Sequence, residues 1–429
     1  MRSFLDLPAG TSFPLQNLPY GVFTRPEGGS PRVGVRVGDL VLDLRLLEEQ
    51  GLLDLPELDG RGAFVDTALN AFMAMGRPAW GAVRRRLQDL LRADGGPALR
   101  EHGQLRDAVL LPLAEVTVHL PARIGDYTDF YASRQHATNV GIMFRGRENA
   151  LMPNWLHLPV GYHGRASSVV VSGTPIVRPQ GQTRPKDDEP PVFGPSRQLD
   201  IELELGAFVG PGNAMGTPIP IGHAGEHLFG CVLVNDWSAR DIQRWEYVPL
   251  GPFLAKNFAT SVSPWVVPFE ALAPFRVAGE AQDASAGNPK PLPYLRQPEP
   301  RALDVTLEVF LETEQMRREG IPLHRVARSN TRHLYWSLEQ QLVHHTVNGC
   351  PMLPGDLLAS GTISGPEEDS YGSLLELAWR GERPLTLPTG ETRVFLQDGD
   401  RVVLTGWAEG DGCRIGLGEV EGTILPARG

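Results

Sequence analysis

The sequence predicts a mostly β protein with a few helices, built as a small N-terminal domain followed by a larger one. Three observations predict it. Glycine and proline, 48 and 38 residues of 429, make up about a fifth of the chain, well above average usage, and imply many turns. Apolar residues recur in short alternating runs such as VGVRVGDLVLDL and LDVTLEVFLETE, the two-residue period of a strand. The third is a lack: no βαβ alternation and no phosphate-cradling glycine loop is visible, so a doubly wound architecture is disfavoured.

The elements follow in order. Residues 33–44 read as a hairpin turning at Gly38-Asp39. A helix is expected near 79–93, with Val83, Leu87, Leu90 and Leu91 on one face. A polar, glycine-containing stretch from 93 to 108 precedes a boundary at 115–120, giving domains 1–118 and 119–429. In the larger domain LDIELELGAFVG is a strand. The run FGCVLVNDWS is a second strand, passing into a short helix, SARDIQRWEY, with Ser238 as a plausible N-cap. Residues 271–302, rich in proline and alanine, read as a long surface excursion. A helix near 330–347 ends before Gly349.

Composition restricts function. A net charge of −11 argues against nucleic acid or an anionic membrane as the main partner. Cys231, Cys350 and Cys413 form no C-x-x-C pair, which fits reduced thiols better than a disulfide frame or structural zinc. The N-terminus lacks a signal-peptide apolar core and no apolar run reaches membrane-spanning length, so the expected location is cytoplasmic. Lysine occurs only at 186, 256 and 290 against 37 arginines, so Lys256 stands out as a position where arginine does not serve.

Several residues could carry chemistry, each with a plainer reading beside it. Strand periodicity puts Glu202 and Glu204 on one face, where two carboxylates suit a hard cation. It does the same for Glu308 and Glu312, and a half-solvated strand explains either pair equally well. Asp236 sits where a strand hands over to a helix, a place for a functional side chain or a capping aspartate. Arg240, Gln243 and Tyr247 share a helix face that could hold an anion or simply face water. His136 is a lone histidine, and most such residues are packing or surface residues.

Four long runs change the weighting: residues 126–176 (DYTDFYASRQHATNVG onward), RQLDIELELGAFVG, VNDWSARDIQRWEYVPLGPFLAKNFATSVSPWVV and LLASGTISGPEEDSYGSLLEL. In content and order they resemble the fumarylacetoacetate hydrolase family, specifically its fumarylacetoacetase members, over most of the chain. The visible departure is extra length at 277–289. The resemblance implies an SH3-like N-terminal barrel, a β-roll catalytic domain and a homodimer. It implies hydrolysis of a carbon–carbon bond in 4-fumarylacetoacetate, giving fumarate and acetoacetate, the last step of tyrosine and phenylalanine catabolism. Asp129, Glu202, Glu204 and Asp236 match carboxylates binding Mg²⁺ or Ca²⁺, with Lys256 and Thr260 beside the metal. His136 matches the general base and Glu376 the carboxylate orienting it. Arg240, Gln243 and Lys256 match groups that stabilise negative charge. Tyr131, Arg145, Tyr162, Gln243, Tyr247 and Thr362 match substrate-binding positions. An acylpyruvate hydrolase or a 2-oxo-acid hydratase or decarboxylase is the alternative within the superfamily, and a scaffold without catalysis is the alternative outside it.

Overall fold

The computed structural model describes residues 1–186, 188–410 and 412–429. Its class is mostly β, as the sequence predicts. Near the N-terminus β1 (Tyr20–Thr24), β2 (Arg32–Val37), β3 (Leu40–Asp43), β4 (Leu110–Pro112) and β5 (Thr117–His119) form an antiparallel sheet in the order β4-β3-β2-β1-β5. The expected hairpin is present. Val37 pairs with Leu40 across Gly38-Asp39, and Gly38 supplies the positive φ of +55° that the tight turn needs. Helix α1 (Arg77–Leu91) starts with proline in its first turn and buries Val83, Leu87, Leu90 and Leu91 against this sheet's core.

The larger part contains β6 (Tyr127–Phe130), β7 (Gly161–Gly164), β8 (Val169–Val171), β9 (Leu203–Val209), β10 (Leu228–Asp236), β11 (Thr260–Val262), β12 (Thr306–Glu312), β13 (His324–Asn330), β14 (Leu357–Ala359), β15 (Arg401–Gly410) and β16 (Cys413–Leu425). Helices α2 (Arg134–Arg145), α3 (Arg240–Glu246) and α4 (Leu338–Thr346) pack around them. Among the described residues the central sheet runs β7-β6-β14-β9-β10-β11-β8, with Val267–Pro268 also paired to β10. A second sheet runs β13-β12-β15-β16 and ends on Ile176–Val177.

Strands β9 and β10 are buried along their whole length. One face of the central sheet, with Leu203, Leu205, Cys231 and Leu233, packs into the core of the larger part. The opposite face, with Phe208, Val232, Val234 and Leu357, packs onto the N-terminal strands and α1. Tyr20, Phe72, Trp80 and Phe229 join the two across ring separations of 5.1–5.8 Å. A strand covered on both sides loses its alternation, which is why FGCVLV reads as one continuous apolar run.

Four expectations need correction. The strand expected over LDIELELGAFVG breaks at Ile201-Glu202, so Leu199–Asp200 pairs instead with Ser238–Ala239. Ser238 is therefore in a strand and does not cap α3; Ala239 holds the cap position and the Ser238 hydroxyl donates to the Asp236 carbonyl. Helix α4 begins at Leu338 rather than near 330, because Ser337 and Gln340 form a capping box there. Glu308 and Glu312 are not solvated: each is under 10% exposed and covered by arginines. The 271–302 excursion is closed at its neck by pairing of Arg276–Val277 with Ala302–Leu303, and Leu295 enters the core. Cys231, Cys350 and Cys413 are unpaired.

Candidate active site

The site grows from register. Asp129 on β6 faces Tyr162 on β7; Glu204 on β9 lies opposite Val234; and Asp236 at the end of β10 lies opposite Thr260 on β11. Asp129, Glu204, Asp236 and Thr260 share the parity of Tyr127, Val234 and Val262, so their side chains project from one face of the sheet. The break before β9 brings Glu202 to the same place. Ligand oxygens of Asp129, Glu202, Glu204 and Asp236 all lie within 4.8 Å of one another, on buried residues.

These four carboxylates are not equivalent. Both oxygens of Asp236 have partners: Oδ1 accepts from Thr260 Oγ1 at 2.6 Å, and Oδ2 from Tyr162 at 2.9 Å and Lys256 Nζ at 2.6 Å. Glu202 accepts from Arg240 Nη1 at 2.7 Å and from Lys256 Nζ. Both oxygens of Glu204 and Oδ1 of Asp129 are buried without a hydrogen-bond partner. Burial, reinforced by Asp129, Glu202 and Asp236, pushes the Glu204 carboxyl well above the usual carboxylate range. Burial and Asp236 do the same to Asp129. Burial also works against ionised Glu202, but Lys256 and Arg240 outweigh it and hold that carboxyl below the usual range. Burial opposes the charge of Lys256, and Asp236 and Glu202 more than restore it.

Buried orphaned carboxylate oxygens are costly unless a cation meets them. An all-oxygen cluster suits a hard divalent ion rather than zinc, so the residues present fit a metal.

Helix α2 supplies the other half. His136 Nδ1 lies 2.7 Å from Glu376 Oε2, both nearly fully buried, and the Tyr131 ring meets the imidazole edge-on with centroids 5.3 Å apart. Glu376 also accepts from Asn139 Nδ2 at 2.9 Å, Ser364 Oγ at 2.9 Å and Ser373 Oγ at 2.8 Å. Burial would raise this carboxyl, but His136, Asn139 and Ser373 hold it below the usual range.

A cavity of about 380 Å³ joins the halves, lined by Asp129, Tyr131, His136, Arg145, Tyr162, Glu202, Arg240, Gln243, Tyr247, Lys256 and Thr362. Glu204, Asp236, Thr260 and Glu376 stand behind that lining. The helix face expected from Arg240, Gln243 and Tyr247 is graded: Arg240 is 5% exposed, Gln243 half-buried and Tyr247 44% exposed at the mouth. Arg240 Nη2 and Thr362 Oγ1 are buried without partners. Gly361, at φ +75°, lets the chain pass the Phe130 carbonyl, which any Cβ would strike, and so delivers Thr362 to the cavity. Arg145 is exposed and donates to the Asn149 and Ala150 carbonyls.

Sequence reasoning missed Asn139, Ser364, Ser373 and Asp200. Asn139 was within reach of a rule, since it stands three residues after His136 on one helix face. Ser364 and Ser373 are unremarkable in sequence and gain meaning only through the fold. Asp200 is fully buried beside Arg240.

Comparison with known proteins matches residues 126–425 to the fumarylacetoacetate hydrolase C-terminal model and 16–121 to the fumarylacetoacetase N-terminal model. The chain belongs to the fumarylacetoacetate hydrolase family. It is 56% identical over 426 residues to the fumarylacetoacetase of Rattus norvegicus, covering 99% of each chain. It is 55% identical over 431 residues to that of Caenorhabditis elegans, covering 100% of each. A solved fumarylacetoacetate hydrolase from psychrophilic Exiguobacterium antarcticum aligns over 96% of this chain and 100% of its own with a TM-score of 0.50 at 17% identity, a likeness of fold alone. No helix among the described residues of this family member is long and apolar enough to cross a membrane.

Proposed function

We propose that this chain hydrolyses the carbon–carbon bond of 4-fumarylacetoacetate to fumarate and acetoacetate, the closing step of tyrosine and phenylalanine breakdown. One observation carries the proposal beyond family membership: a buried His–carboxylate pair and a buried acidic cluster with Lys256 open onto the same cavity.

In this reading His136 takes a proton from water at Nε2, while Glu376 fixes the Nδ1 hydrogen and steadies the imidazolium. The hydroxide adds to the ketone carbon, and the carbonyl oxygen gains the charge that Arg240, Gln243 and Lys256 would face. The oxyanion then re-forms C=O as the carbon–carbon bond breaks, the bond's electron pair goes to the carbon that becomes the acetoacetate methyl, and the proton held by His136 is delivered to it. Asp129, Glu202, Glu204 and Asp236 would hold Mg²⁺ or Ca²⁺, with Lys256 and Thr260 fixing the acids. When bound, such a cation supplies Lewis-acid stabilisation to a leaving 1,3-dicarbonyl. Tyr131, Arg145, Tyr162, Tyr247 and Thr362 would contact the substrate, Arg145 and the tyrosines suiting its terminal carboxylates. The same reading gives a division near residue 118, a homodimer and a cytoplasmic location.

The test is direct. Purified protein is incubated with fumarylacetoacetate and either metal, and loss of the diketone absorbance is followed. Turnover that stops on chelation is expected; no turnover with either metal would overturn the proposal.

A further inference from the structure

Arg240 has three donor positions, and two are accounted for inside the protein. Its Nε donates to Asp200 Oδ2 at 2.8 Å, and its Nη1 to Glu202 Oε1 at 2.7 Å and Gln243 Oε1 at 3.2 Å. Its Nη2 is buried with no partner, on a residue that lines the cavity. A guanidinium is planar, so fixing two of its nitrogens fixes the direction of the third.

Asp200 is suited to be the fixing point. It is fully buried, and its carboxylate is itself immobilised by three backbone amides: Ile201 N at 2.8 Å and Leu374 N at 2.7 Å on Oδ1, and Leu375 N at 3.1 Å on Oδ2. Leu374 and Leu375 open the short helical turn that carries Glu376. One carboxylate thus ties Arg240 on α3 to the segment holding the His136 partner. Glu202 alone could not do this. It lies in the acidic cluster, where Lys256 shares it and a cation would compete for it.

We propose that Asp200 is a positioning residue for the hydrolysis: it holds the Arg240 guanidinium at the cavity wall, so that Nη2, which no protein group satisfies, is left as an anion donor for the substrate. This rests on the function proposed above. Asp200 does not touch the cavity and acts through Arg240.

Asp200→Asn, read together with Arg240→Gln, separates this role from simple support. The amide oxygen can still accept from Leu374 and Ile201, but its NH₂ can accept neither from Arg240 Nε nor from Leu375 N, so the double variant isolates the part that acts through Arg240. Kinetics are measured on wild type, Asp200→Asn, Arg240→Gln and the double variant, with melting temperatures alongside. We expect kcat/KM to fall by on the order of 10²-fold in Asp200→Asn, the scale of one lost oxyanion donor. We also expect the double variant to be no worse than Arg240→Gln alone. Wild-type kcat/KM in Asp200→Asn, or losses that multiply to within about twofold in the double variant, would overturn the inference. If Asp200→Asn fails to fold, Arg240→Lys carries the test, because it keeps the charge but cannot span Asp200 and Glu202. Unchanged kcat/KM there overturns the inference, since a head group unable to reach both acids would then serve as well. An inactive wild type would count against the proposed function instead. Calorimetric binding of fumarate would then read the same donor, with about tenfold weaker binding expected in Asp200→Asn and equal binding overturning the inference.

Discussion

Glu202 and Glu204 at the head of β9 and Glu308 and Glu312 on β12 carry the same pattern in sequence, yet their surroundings differ in kind. Glu308 is met by Arg328 from the facing position on β13, with Nε at 3.0 Å, and by Arg325 Nη1 at 2.7 Å. Glu312 is met by Arg317 at 3.1 Å and, more distantly, by Arg401 opposite it on β15. Each acid on β12 is thus paired with arginines from its own sheet or from the short helix Glu314–Glu319 that follows it. At the head of β9 the balance runs the other way. Four acids converge, one lysine and one arginine answer them, and Glu204 keeps both oxygens unpartnered. Burial is common to both pairs. What separates them is whether protein donors already satisfy the charge.

The two strands should differ most at Glu204. Glu204→Gln keeps the shape but removes one negative charge from the cluster. Divalent metal affinity is expected to fall by more than about 10²-fold, beyond the range usual for residues outside the ligand shell. Activity should be low at ordinary metal concentration and partly restored by excess; equal affinity by calorimetry would remove Glu204 from the metal site. His136→Ala sharpens the distinction from the other side. Turnover should drop about 10²–10⁴-fold with metal affinity unchanged, and wild-type kcat would exclude His136 as the base. Lys256→Arg is expected to lower kcat/KM by roughly tenfold, since a planar guanidinium cannot sit between Glu202 and Asp236 as a compact ammonium does. Normal kinetics would show that the scarce lysine is incidental.

The smallest effect belongs to β12. Glu308→Gln should leave metal binding and turnover untouched. Because the acid is buried under arginines, it should nevertheless cost stability, about 1 kcal/mol, since both partners are half exposed and screened. Denaturant midpoints of variant and wild type measure it. A metal-affinity loss as large as that of Glu204→Gln would mean that the contrast between the two strands is general electrostatics.

The sequence is legible where local rules act. The 33–44 hairpin and helix α1 follow from turn chemistry and periodicity, which act within a few residues. Glu202 and Glu204 were visible as a pair, but nothing local distinguished them from Glu308 and Glu312; resemblance did. Misreadings arose where a distant partner decided the outcome. Ser238 looks like a cap until Leu199–Asp200 claims it for a strand. Ser373 and Glu376 have capping-box spacing, and the Ser373 hydroxyl does accept from Glu376 N at 3.3 Å. The glutamate side chain, however, is drawn to His136, 240 residues away. Asp200 joins Arg240 to residues 174 and 175 positions further along. No window of sequence contains such a contact.

The four donors on Glu376 also settle where a proton can travel. A carboxylate already accepting from His136, Asn139, Ser364 and Ser373 is a poor resting place for another hydrogen, and its charge is held below the range where it would take one. The imidazole is therefore closed on its Nδ1 side and can exchange protons only through Nε2. In terms of traffic the pair is a dead-end siding with a single switch: whatever enters from the cavity must leave by the same nitrogen. In the proposed hydrolysis a proton taken from water at Nε2 would therefore be held at the cavity wall, and would be returned to the leaving product from that same atom.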